Sequence, residues 1–452
     1  MIHKQEKSAV FSLALIMSFR MLGLFMILPV FSAYAHELKG ATPTLIGLAL
    51  GIYGLTQAIL QMPFGSLSDR IGRKPIILLG LIFFAGGSVI AALSHSITGV
   101  IIGRALQGSG AIGSTTLALV ADLTRDENRS KAMAFIGLFI GASFTIAVIL
   151  GPMINKLWHL NGIFWTTAVL AVIGIILLFT IVPTPPTLVT HPEVESSPQT
   201  IRSILKNTQL LRLDFGIACS HAILTAIFIA IPILLTQVMH LGQSAQISLY
   251  LSVLIFSFIG MLPFIILAEK KRQMKGVFIG AVATITLSLL LLYYFHSSAT
   301  SIGLLLLLYF TAFTLLEASL PSLVSKISPI RKKGTAMGIY STSQFFGIFI
   351  GGSAGGFLYG HFGLNGVFLF AFLAGLLWLI FAVSMKQPPY LSTIIISMPN
   401  NNTPENFHNI GNIAGVSEVA LMTNEQLIYV KIDKKIITED ELRNRIETGN
   451  LA

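Results

Sequence analysis

Charged residues and cysteine are both scarce in this sequence. Asp, Glu, Lys and Arg together make up only 11% of the 452 residues, against about 25% in an average soluble domain. Cys219 is the single cysteine, so the chain by itself can form no disulfide, CxxC redox pair or cysteine zinc site. No nucleophile, metal-ligand cluster or carboxylate pair stands in a pattern typical of an enzyme. We therefore predict no enzymatic activity, no bound metal and no cofactor.

Apolar residues, by contrast, make up 54% of the chain. They form twelve runs of about 20 residues, the length that an α-helix needs to cross a bilayer. The sequence thus predicts an all-α membrane protein with twelve transmembrane helices and the lipid bilayer as a partner. The predicted spans lie at about 10–34, 43–68, 74–94, 97–122, 130–156, 162–183, 210–239, 244–268, 275–296, 299–326, 332–360 and 364–384.

Lys and Arg are concentrated in the loops on the side of the N-terminus. The loops on the other side hold only Lys39 and Lys156, so the positive-inside rule predicts that both termini are cytoplasmic. Lys4 and Lys7 precede a long apolar stretch that includes Arg20, which we interpret as a retained first helix and not a signal peptide. This asymmetry and attraction to anionic lipid account for the net charge of +10, and we predict no nucleic-acid binding.

The stretch GRALQGSGAIG at residues 103–113 contains the G-x-G-x-x-G pattern of a dinucleotide-binding turn. That turn needs a preceding strand and a helix that begins at the glycines, whereas these glycines lie inside a predicted span. We therefore predict close helix packing and no nucleotide binding. The glycines to which we assign this role are Gly103, Gly108, Gly110, Gly113, Gly137, Gly141, Gly347, Gly351, Gly352, Gly355 and Gly356.

The chain shows internal symmetry. SKAMAFIG at residues 130–137 has an echo in GTAMGIYS at 334–341, and a proline-rich polar stretch lies at 183–200. We predict two six-helix pseudo-repeats, 1–183 and 210–386, joined by a cytoplasmic linker at 184–209. Two such halves with no ATP-binding module imply a secondary transporter.

Specific motifs then carry a family resemblance. GSLSDRIGRK at residues 65–74 closely matches the G-x-L-[AS]-D-R-x-G-R-[KR] signature of the major facilitator superfamily, and GRALQG at 103–108 resembles its R-x-x-Q-G motif. The whole chain resembles the YajR group of drug:proton antiporters in that superfamily. Gly151-Pro152 resembles the antiporter motif, but Met153-Ile154-Asn155 replaces the usual glycines and weakens that inference.

The resemblance implies a conformational latch on the cytoplasmic side. Asp69 and Arg73 stand four residues apart at the end of the second helix, so they can pair. In the family, the Asp meets the N-terminus of the eleventh helix, here near Gly334, and the Arg meets an acid that corresponds to Asp122. The alternative is a set of solvated loop charges. The latch candidates are Gly65, Asp69, Arg70, Gly72, Arg73, Lys74 and Asp122.

Ionisable groups inside spans are the candidates for proton transfer. Glu317 lies within the tenth span and is our leading proton carrier. The alternatives are a structural partnership to Arg20 or Arg104, and a position nearer the cytoplasm. His221 is the only histidine well inside a span, where packing is the alternative role. Asp214, near the end of a span, is the third candidate.

Polar side chains in the first half are candidates to line a substrate cavity. These are Arg20, Gln57, Gln61, Arg104 and Gln107. The membrane core of this half has no carboxylate, so the sequence does not predict a dedicated site for cationic drugs.

Residues 391–452 differ in composition from the spans. LSTIIISMP, SEVALM and QLIYVKID read as strands, and TPENFHNIGN and TEDELRNRIE as helices. This order predicts a small cytoplasmic ferredoxin-like α+β domain, short of its final strand. It resembles small metal-binding domains but has none of their paired cysteines. We expect it to bind a regulator or to self-associate, with a purely stabilising tail as the alternative.

Taken together, these features predict a secondary transporter of the cytoplasmic inner membrane that works by alternating access. Its substrate is a small organic or drug-like molecule, exported in exchange for protons with the proton gradient as energy source. The alternatives are a proton symporter or uniporter for a metabolite, and a non-transporting membrane sensor.

Overall fold

The computed structural model describes residues 4–124, 126–184, 198–388, 390–397, 410–422 and 427–448. Within these ranges, nine helices are long and apolar enough to cross a membrane. The helices are α1 (Lys4–Phe25), α2 (Leu28–Tyr34), α3 (Pro43–Ile71), α4 (Arg73–Leu93), α5 (Ile97–Ser109), α6 (Gly113–Leu123), α7 (Asp126–Thr180), α8 (Pro198–Leu205), α9 (Thr208–Ile233), α10 (Gln243–Lys270), α11 (Met274–Tyr294), α12 (Ala299–Ile327), α13 (Lys333–Val383) and α14 (Glu439–Thr448).

Two of these helices are too long for a single crossing. α7 has 55 residues and would measure about 80 Å if straight, whereas the bilayer core is about 30 Å thick. Its backbone leaves helical geometry at Trp158 and His159, and α13, with 51 residues, does so at Gly363. Both turns fall where the sequence predicts a loop between spans. The count of twelve spans and the split into two repeats stay predictions.

The predicted continuous span 97–122 is wrong in one respect, since the helix breaks between α5 and α6. Gly110 ends α5, with its N–H donating to the carbonyl of Gln107 at 3.2 Å, and α6 begins at Gly113. A Cβ atom on Gly110 would lie 3.1 Å from the carbonyl carbon of Gly80 in α4. The close approach of α4 therefore accompanies the break.

An apolar core forms where α1, α4, α6 and α7 pack together. Leu13, Ile77, Leu119 and Ile136 are buried within it. Other large apolar side chains are exposed on the helix surfaces, as at Phe256, which is 59% exposed. A helix face that meets lipid carries such side chains without cost, because lipid chains are themselves apolar.

The C-terminal residues form a three-stranded antiparallel sheet of β1 (Leu391–Ser397), β2 (Val416–Met422) and β3 (Leu427–Asp433). β3 lies in the centre, with Val430 opposite both Ile394 and Val419. These three strands were all predicted. The N–H of Glu441 donates to Oγ1 of Thr438 at 3.3 Å, so Thr438 caps α14 as the sequence indicates. Most of the predicted helix at 403–412 lies outside the described residues.

The chain divides into two compact units. The first contains Met1–Val189, Asp214–Ser319 and Gly338–Met385, and the second contains Thr190–Leu213, Leu320–Met337 and Lys386–Ala452. The second unit thus includes the segment between α12 and α13 as well as the small sheet. The first unit holds all the predicted cavity and proton-carrier residues.

Candidate functional site

Arg73 ties together the ends of three helices. Its Nε lies 3.1 Å from Oδ2 of Asp122, near the end of α6, and its Nη1 donates to Oγ of Ser68 at 2.8 Å. It also pairs with Asp69 in the last turn of α3. The side chains of Arg73 and Asp122 are 3% and 1% exposed. These charges therefore form a buried network and are not ordinary solvated loop residues.

The backbone around this network has little freedom. Gly72 has a φ of 104°, a conformation that residues with a side chain rarely adopt. A Cβ atom on Gly65 would lie 3.1 Å from Oγ of Ser114 in α6. Nζ of Lys74 donates to the carbonyl of Val182 at 2.7 Å, which fixes the start of α4 to the end of α7.

The remaining parts of the latch hypothesis stay predictions. Arg70 is exposed, and α13 begins at Lys333, one residue before the position predicted for the eleventh helix. The contact of Asp69 with that helix, and the role of the whole loop as a latch, stay predictions.

Arg20 of α1 is buried against α3. Its Nη2 donates to the hydroxyl of Tyr53 at 3.2 Å and to Oε1 of Gln57 at 3.0 Å. Nε2 of Gln57 in turn donates to Oε1 of Gln61 at 3.5 Å. Nε and Nη1 of Arg20 have no hydrogen-bond partner among the described atoms. The guanidinium carbon lies 5.7 Å from the ring centroid of Phe84.

Arg104 of α5 is also buried and also contacts Tyr53. Its Nε donates to the carbonyl of Ala49 at 3.3 Å and its Nη1 to Oε1 of Gln107 at 3.0 Å. Nε2 of Gln107 donates to Oγ of Ser88 at 2.7 Å. Nη2 has no partner among the described atoms. The guanidinium carbon lies 4.8 Å from the Tyr53 ring centroid, within cation–π range.

The structure therefore places the five predicted cavity residues in two adjoining networks on α1, α3 and α5. Tyr53 belongs to both, because it accepts from Arg20 and stacks under Arg104. Neither arginine forms an ion pair with a carboxylate in the described part of the chain. Two fixed positive charges are thus buried together without a described counter-charge.

Two of the three proton-carrier candidates face each other. Nδ1 of His221 in α9 lies 3.7 Å from Oε1 of Glu317 in α12. Nε2 of His221 lies 2.8 Å from Nε2 of Gln344 in α13. With the Gln344 amide nitrogen as donor, this histidine nitrogen accepts, and the proton of a neutral ring is on Nδ1, facing Glu317. The alternative pairing of Glu317 with Arg20 or Arg104 is not observed.

Asp214 lies two helical turns before His221 on α9 and is also buried. Its Oδ2 has no hydrogen-bond partner among the described atoms. Tyr340 of α13 lies close enough to both Asp214 and Glu317 to interact electrostatically with each carboxylate.

Glycines bring α13 directly against the backbone of two other helices. A Cβ atom on Gly355 would lie 3.1 Å from Cα of Ala226 in α9, and Gly351 and Gly347 meet Ala222 and Ala218 in the same way. On another face of α13, Gly352 and Gly356 meet Gly47 of α3, with a Cβ atom on either only 2.7 Å from that backbone. The predicted packing role of these glycines is confirmed.

The other predicted glycine contacts differ in outcome. Gly103, Gly108 and Gly110 lie against the backbones of α4 or α3, as expected. The prediction is wrong for Gly137 and Gly141, since no described atom lies within 4 Å of a Cβ atom placed on either. Helical spacing puts two glycines on one face but does not decide whether a neighbouring helix covers that face.

In the second compact unit, the small sheet holds the segment between α12 and α13. The ammonium group of Lys431 in β3 pairs with Glu418 of β2 at 3.2 Å and donates to the carbonyl of Ser328. Oε1 of Glu418 accepts the N–H of Ile330 at 3.0 Å. Lys431 is 5% exposed, so its contact with Ser328 is buried, whereas the side chain of Glu418 is 33% exposed.

Several residues of these sites, Ser68 and Tyr340 among them, were not among those predicted. Tyr53 and Ser88 complete the arginine networks, and Gln344 orients His221. Gln344 is the last residue of STSQ, a polar run in an otherwise apolar helix. This run is a sequence signal that could have predicted a polar site residue there. Tyr53 lies one turn before Gln57 on the predicted cavity face, but Ser88 carries no comparable signal.

Comparisons with known proteins agree on one family. The profile of the Major Facilitator Superfamily matches residues 13–352 and 314–398. The inner membrane transport protein YajR of Escherichia coli K12 is 46% identical over 445 residues, which cover 98% of this chain and 97% of that protein. The quinolone resistance protein NorA of Staphylococcus aureus MSSA476 is 25% identical over 358 residues, covering 75% of this chain and 86% of NorA.

Solved structures show the same fold. The crystal structure of a D-xylose-proton symporter matches with a TM-score of 0.65 and 17% sequence identity. The match covers 85% of this chain and 98% of that one.

Proposed function

This chain belongs to the Major Facilitator Superfamily of transporters, and from that premise we propose that it exports small organic solutes across the inner membrane in exchange for protons. The family makes it a multi-pass membrane transporter and not an enzyme. The name of the Escherichia coli relative supports the inner membrane as its location. The name of the more distant NorA, a quinolone resistance protein, supports a drug-like solute.

The observation that carries proton coupling is the pair formed by His221 and Glu317. Both groups can hold a proton, and their facing atoms lie 3.7 Å apart, too far for a hydrogen bond and close enough for an ion pair. Neither facing atom has another hydrogen-bond partner among the described residues. A proton that arrives at this pair changes its net charge. The electrostatic interaction between α9 and α12 therefore differs between the protonated and the deprotonated pair.

The proton route that we assign to this pair includes Tyr340 of α13 and Asp214 of α9. Tyr340 lies in electrostatic range of both Glu317 and Asp214, and its hydroxyl group can both accept and donate a proton-bearing hydrogen bond. Asp214 lies six residues after the start of α9 at Thr208, on the side that we predict to be cytoplasmic. We assign Asp214 the role of the cytoplasmic proton exchange group and Glu317 that of the carrier.

The packing of α13 supports alternating access. This helix meets α3 on one face and α9 on another with backbone against backbone. Such smooth contacts lower the steric barrier to sliding, because no side chains interlock across them. Gln344 lies on the same helix and contacts His221. A displacement of α13 therefore changes the surroundings of the proton pair.

The small C-terminal sheet adds a further element. Its order, β1-β3-β2, supports a ferredoxin-like domain that lacks its final strand. Because Lys431 and Glu418 bind the segment that leads from α12 into α13, a molecule that binds the sheet has a physical route to both helices. We assign the domain a regulatory role on this ground.

Proton flux in proteoliposomes tests the proposal. The full-length protein is reconstituted with a pH-sensitive dye inside the vesicles, and three probes are added under an imposed proton gradient. They are nalidixate as an aromatic carboxylate, tetraphenylphosphonium as a lipophilic cation, and D-xylose as a neutral solute. We expect at least one probe to trigger proton movement in the wild type, and Glu317→Gln to abolish it.

The matched control is Glu439→Gln, the same chemical change in the C-terminal helix outside the membrane segments. We expect wild-type proton flux from this variant. Probe-triggered proton flux that survives in Glu317→Gln would refute its role as the carrier. The absence of flux with every probe in the wild type would refute proton coupling for these solute classes.

A further inference from the structure

Three positively charged donors are buried without a hydrogen-bond partner among the described residues of the first compact unit. They are Nε and Nη1 of Arg20 and Nη2 of Arg104, none of which has a hydrogen-bond acceptor among the described atoms. The two side chains are 1% and 0% exposed. A guanidinium group does not give up its proton, so each remains charged. Buried donors of this kind cost folding free energy unless a partner is present.

The described part of the chain does not balance these charges. Asp69 and Asp122 are both engaged by Arg73, and Glu37 is exposed beyond the end of α2. Neither Arg20 nor Arg104 forms an ion pair within the described residues. A water molecule could accept from one of the free donors, but it would leave the two positive charges without compensation.

The position of the arginines is suited to a transported solute. Tyr53 contacts both of them, and its ring lies 6.5 Å from that of Phe345 in α13. The residue before Phe345 is Gln344, which contacts His221 of the proton pair. The arginines are thus connected through Tyr53 to Phe345 of α13, the helix whose displacement we connect with transport.

From these observations we infer that Arg20 and Arg104 bind the carboxylate group of an aromatic or similarly apolar organic anion, which is the transported solute. This inference rests on the proposed transport function and specifies its substrate class. The planar guanidinium fork fits both oxygens of a carboxylate. The rings of Tyr53 and Phe84 lie beside the two guanidinium groups, so the surroundings of the charges are aromatic and suit a solute with an apolar body. A purely cationic solute is repelled from the same place.

Ligand-dependent thermal unfolding of the purified full-length protein tests this inference without a proton gradient. The probe is benzoate, and its neutral match is benzamide, which has nearly the same shape. Sodium chloride at the same ionic strength distinguishes a carboxylate site from a site for inorganic anions. We expect benzoate to raise the unfolding temperature in a saturable way, and benzamide and sodium chloride to have little effect.

Variants identify the residues responsible. Arg20→Gln and Arg104→Gln should each weaken the apparent affinity for benzoate about tenfold or more, since each removes a charged hydrogen-bond donor. Arg445→Gln, which removes a half-exposed arginine of α14, is the matched control and should bind like the wild type. If a Gln variant does not fold, Arg20→Lys and Arg104→Lys retain the charge but lose the fork, and a smaller loss of affinity is expected.

Three outcomes would overturn the inference. The first is equal stabilisation by benzamide, and the second is equal stabilisation by sodium chloride, which would assign the site to an inorganic anion. The third is unchanged benzoate affinity in both arginine positions.

Proton coupling and anion binding can be refuted independently of each other. Benzoate binding through the arginines, together with a wild type in which no probe moves protons, would keep the anion site and refute proton coupling. Proton flux triggered only by tetraphenylphosphonium or D-xylose, with no benzoate binding, would support proton coupling and refute the anion site.

Discussion

Gly351 of α13 lies against the backbone of Ala222 in α9, so the two helices meet with no side chain between them. A Cβ atom at Gly351 would come within 2.7 Å of Cα of Ala222, a separation that real side chains do not tolerate. Gly347 and Gly355 meet Ala218 and Ala226 in the same way, so glycines spaced by four residues contact alanines with the same spacing. α13 is therefore held against α9 by close contact between the two backbones.

Gly351→Val is expected to destabilise the protein, because the branched side chain cannot fit without moving one of the helices. Overpacking of this kind costs about 1–3 kcal/mol, and we expect a lower thermal unfolding temperature and a reduced transport rate. Gly280→Val in α11 is the control, since no described atom lies within 4 Å of a Cβ atom there. Equal losses from both variants would show that space at the α9 contact is not the cause.

Asp122→Asn should destabilise the network around Arg73. The change removes a charge from a carboxylate whose side chain is only 1% exposed and leaves Arg73 less compensated, at an expected cost of about 1–3 kcal/mol. Glu439→Gln disrupts a pair with Arg443 whose side chains are 44% and 39% exposed, and such surface pairs contribute about 0–1 kcal/mol. Chemical unfolding of both variants compares the two losses. A cost for Asp122→Asn no larger than that of the surface control would contradict the buried network.

Gly72→Ala and Gly276→Ala are expected to change stability in opposite directions. Gly72 has a φ of 104°, so an added Cβ atom strains the backbone, at about 1–2 kcal/mol. Gly276 lies within α11 with no described atom within 4 Å of a Cβ atom, so alanine there gains helix propensity of up to about 1 kcal/mol. Thermal unfolding of the two variants gives the signs, and stabilisation by Gly72→Ala would contradict the conformation described for this turn.

Glu418→Ala should expose the backbone amide of Ile330 to solvent. That amide donates to Oε1 of Glu418 at 3.0 Å, and without the acceptor it is free to exchange its hydrogen more readily. Hydrogen–deuterium exchange of the peptide that covers Ser328 to Lys333 measures the effect. Glu441→Ala in α14 is the control and should leave this peptide unchanged. Unaltered exchange in Glu418→Ala would show that the sheet does not hold the segment.

Sequence patterns predicted those features that depend on local spacing. Asp69 and Arg73 are four residues apart, so their pairing follows from helix geometry wherever the helix lies. The three strands and the cap at Thr438 were predicted for the same reason, since each depends on neighbours in the chain. The glycines that contact α9 share this property, because a spacing of four residues places them on one face.

One sequence does not predict which helix faces pack against each other, nor the features that depend on that packing. Gly137 and Gly141 have the same spacing as Gly347 and Gly351, yet only the second pair is covered by another helix. The pairing of Glu317 with His221, and not with an arginine, is likewise decided by the arrangement of α9 and α12. The break at Gly110 accompanies the approach of α4, which is distant in sequence. Local pattern identifies candidates, and tertiary packing selects among them.

The burial of Arg20 has a consequence for how the chain enters the membrane during synthesis. An arginine at the centre of an isolated transmembrane helix costs about 2.5–3.5 kcal/mol on insertion, and α1 precedes α3 in the chain. Its hydrogen-bond partners Tyr53 and Gln57 lie on α3, which is made later. α1 is therefore a poor anchor alone, and the segment from α1 to α3 is the shortest one that enters the bilayer with Arg20 hydrogen bonded.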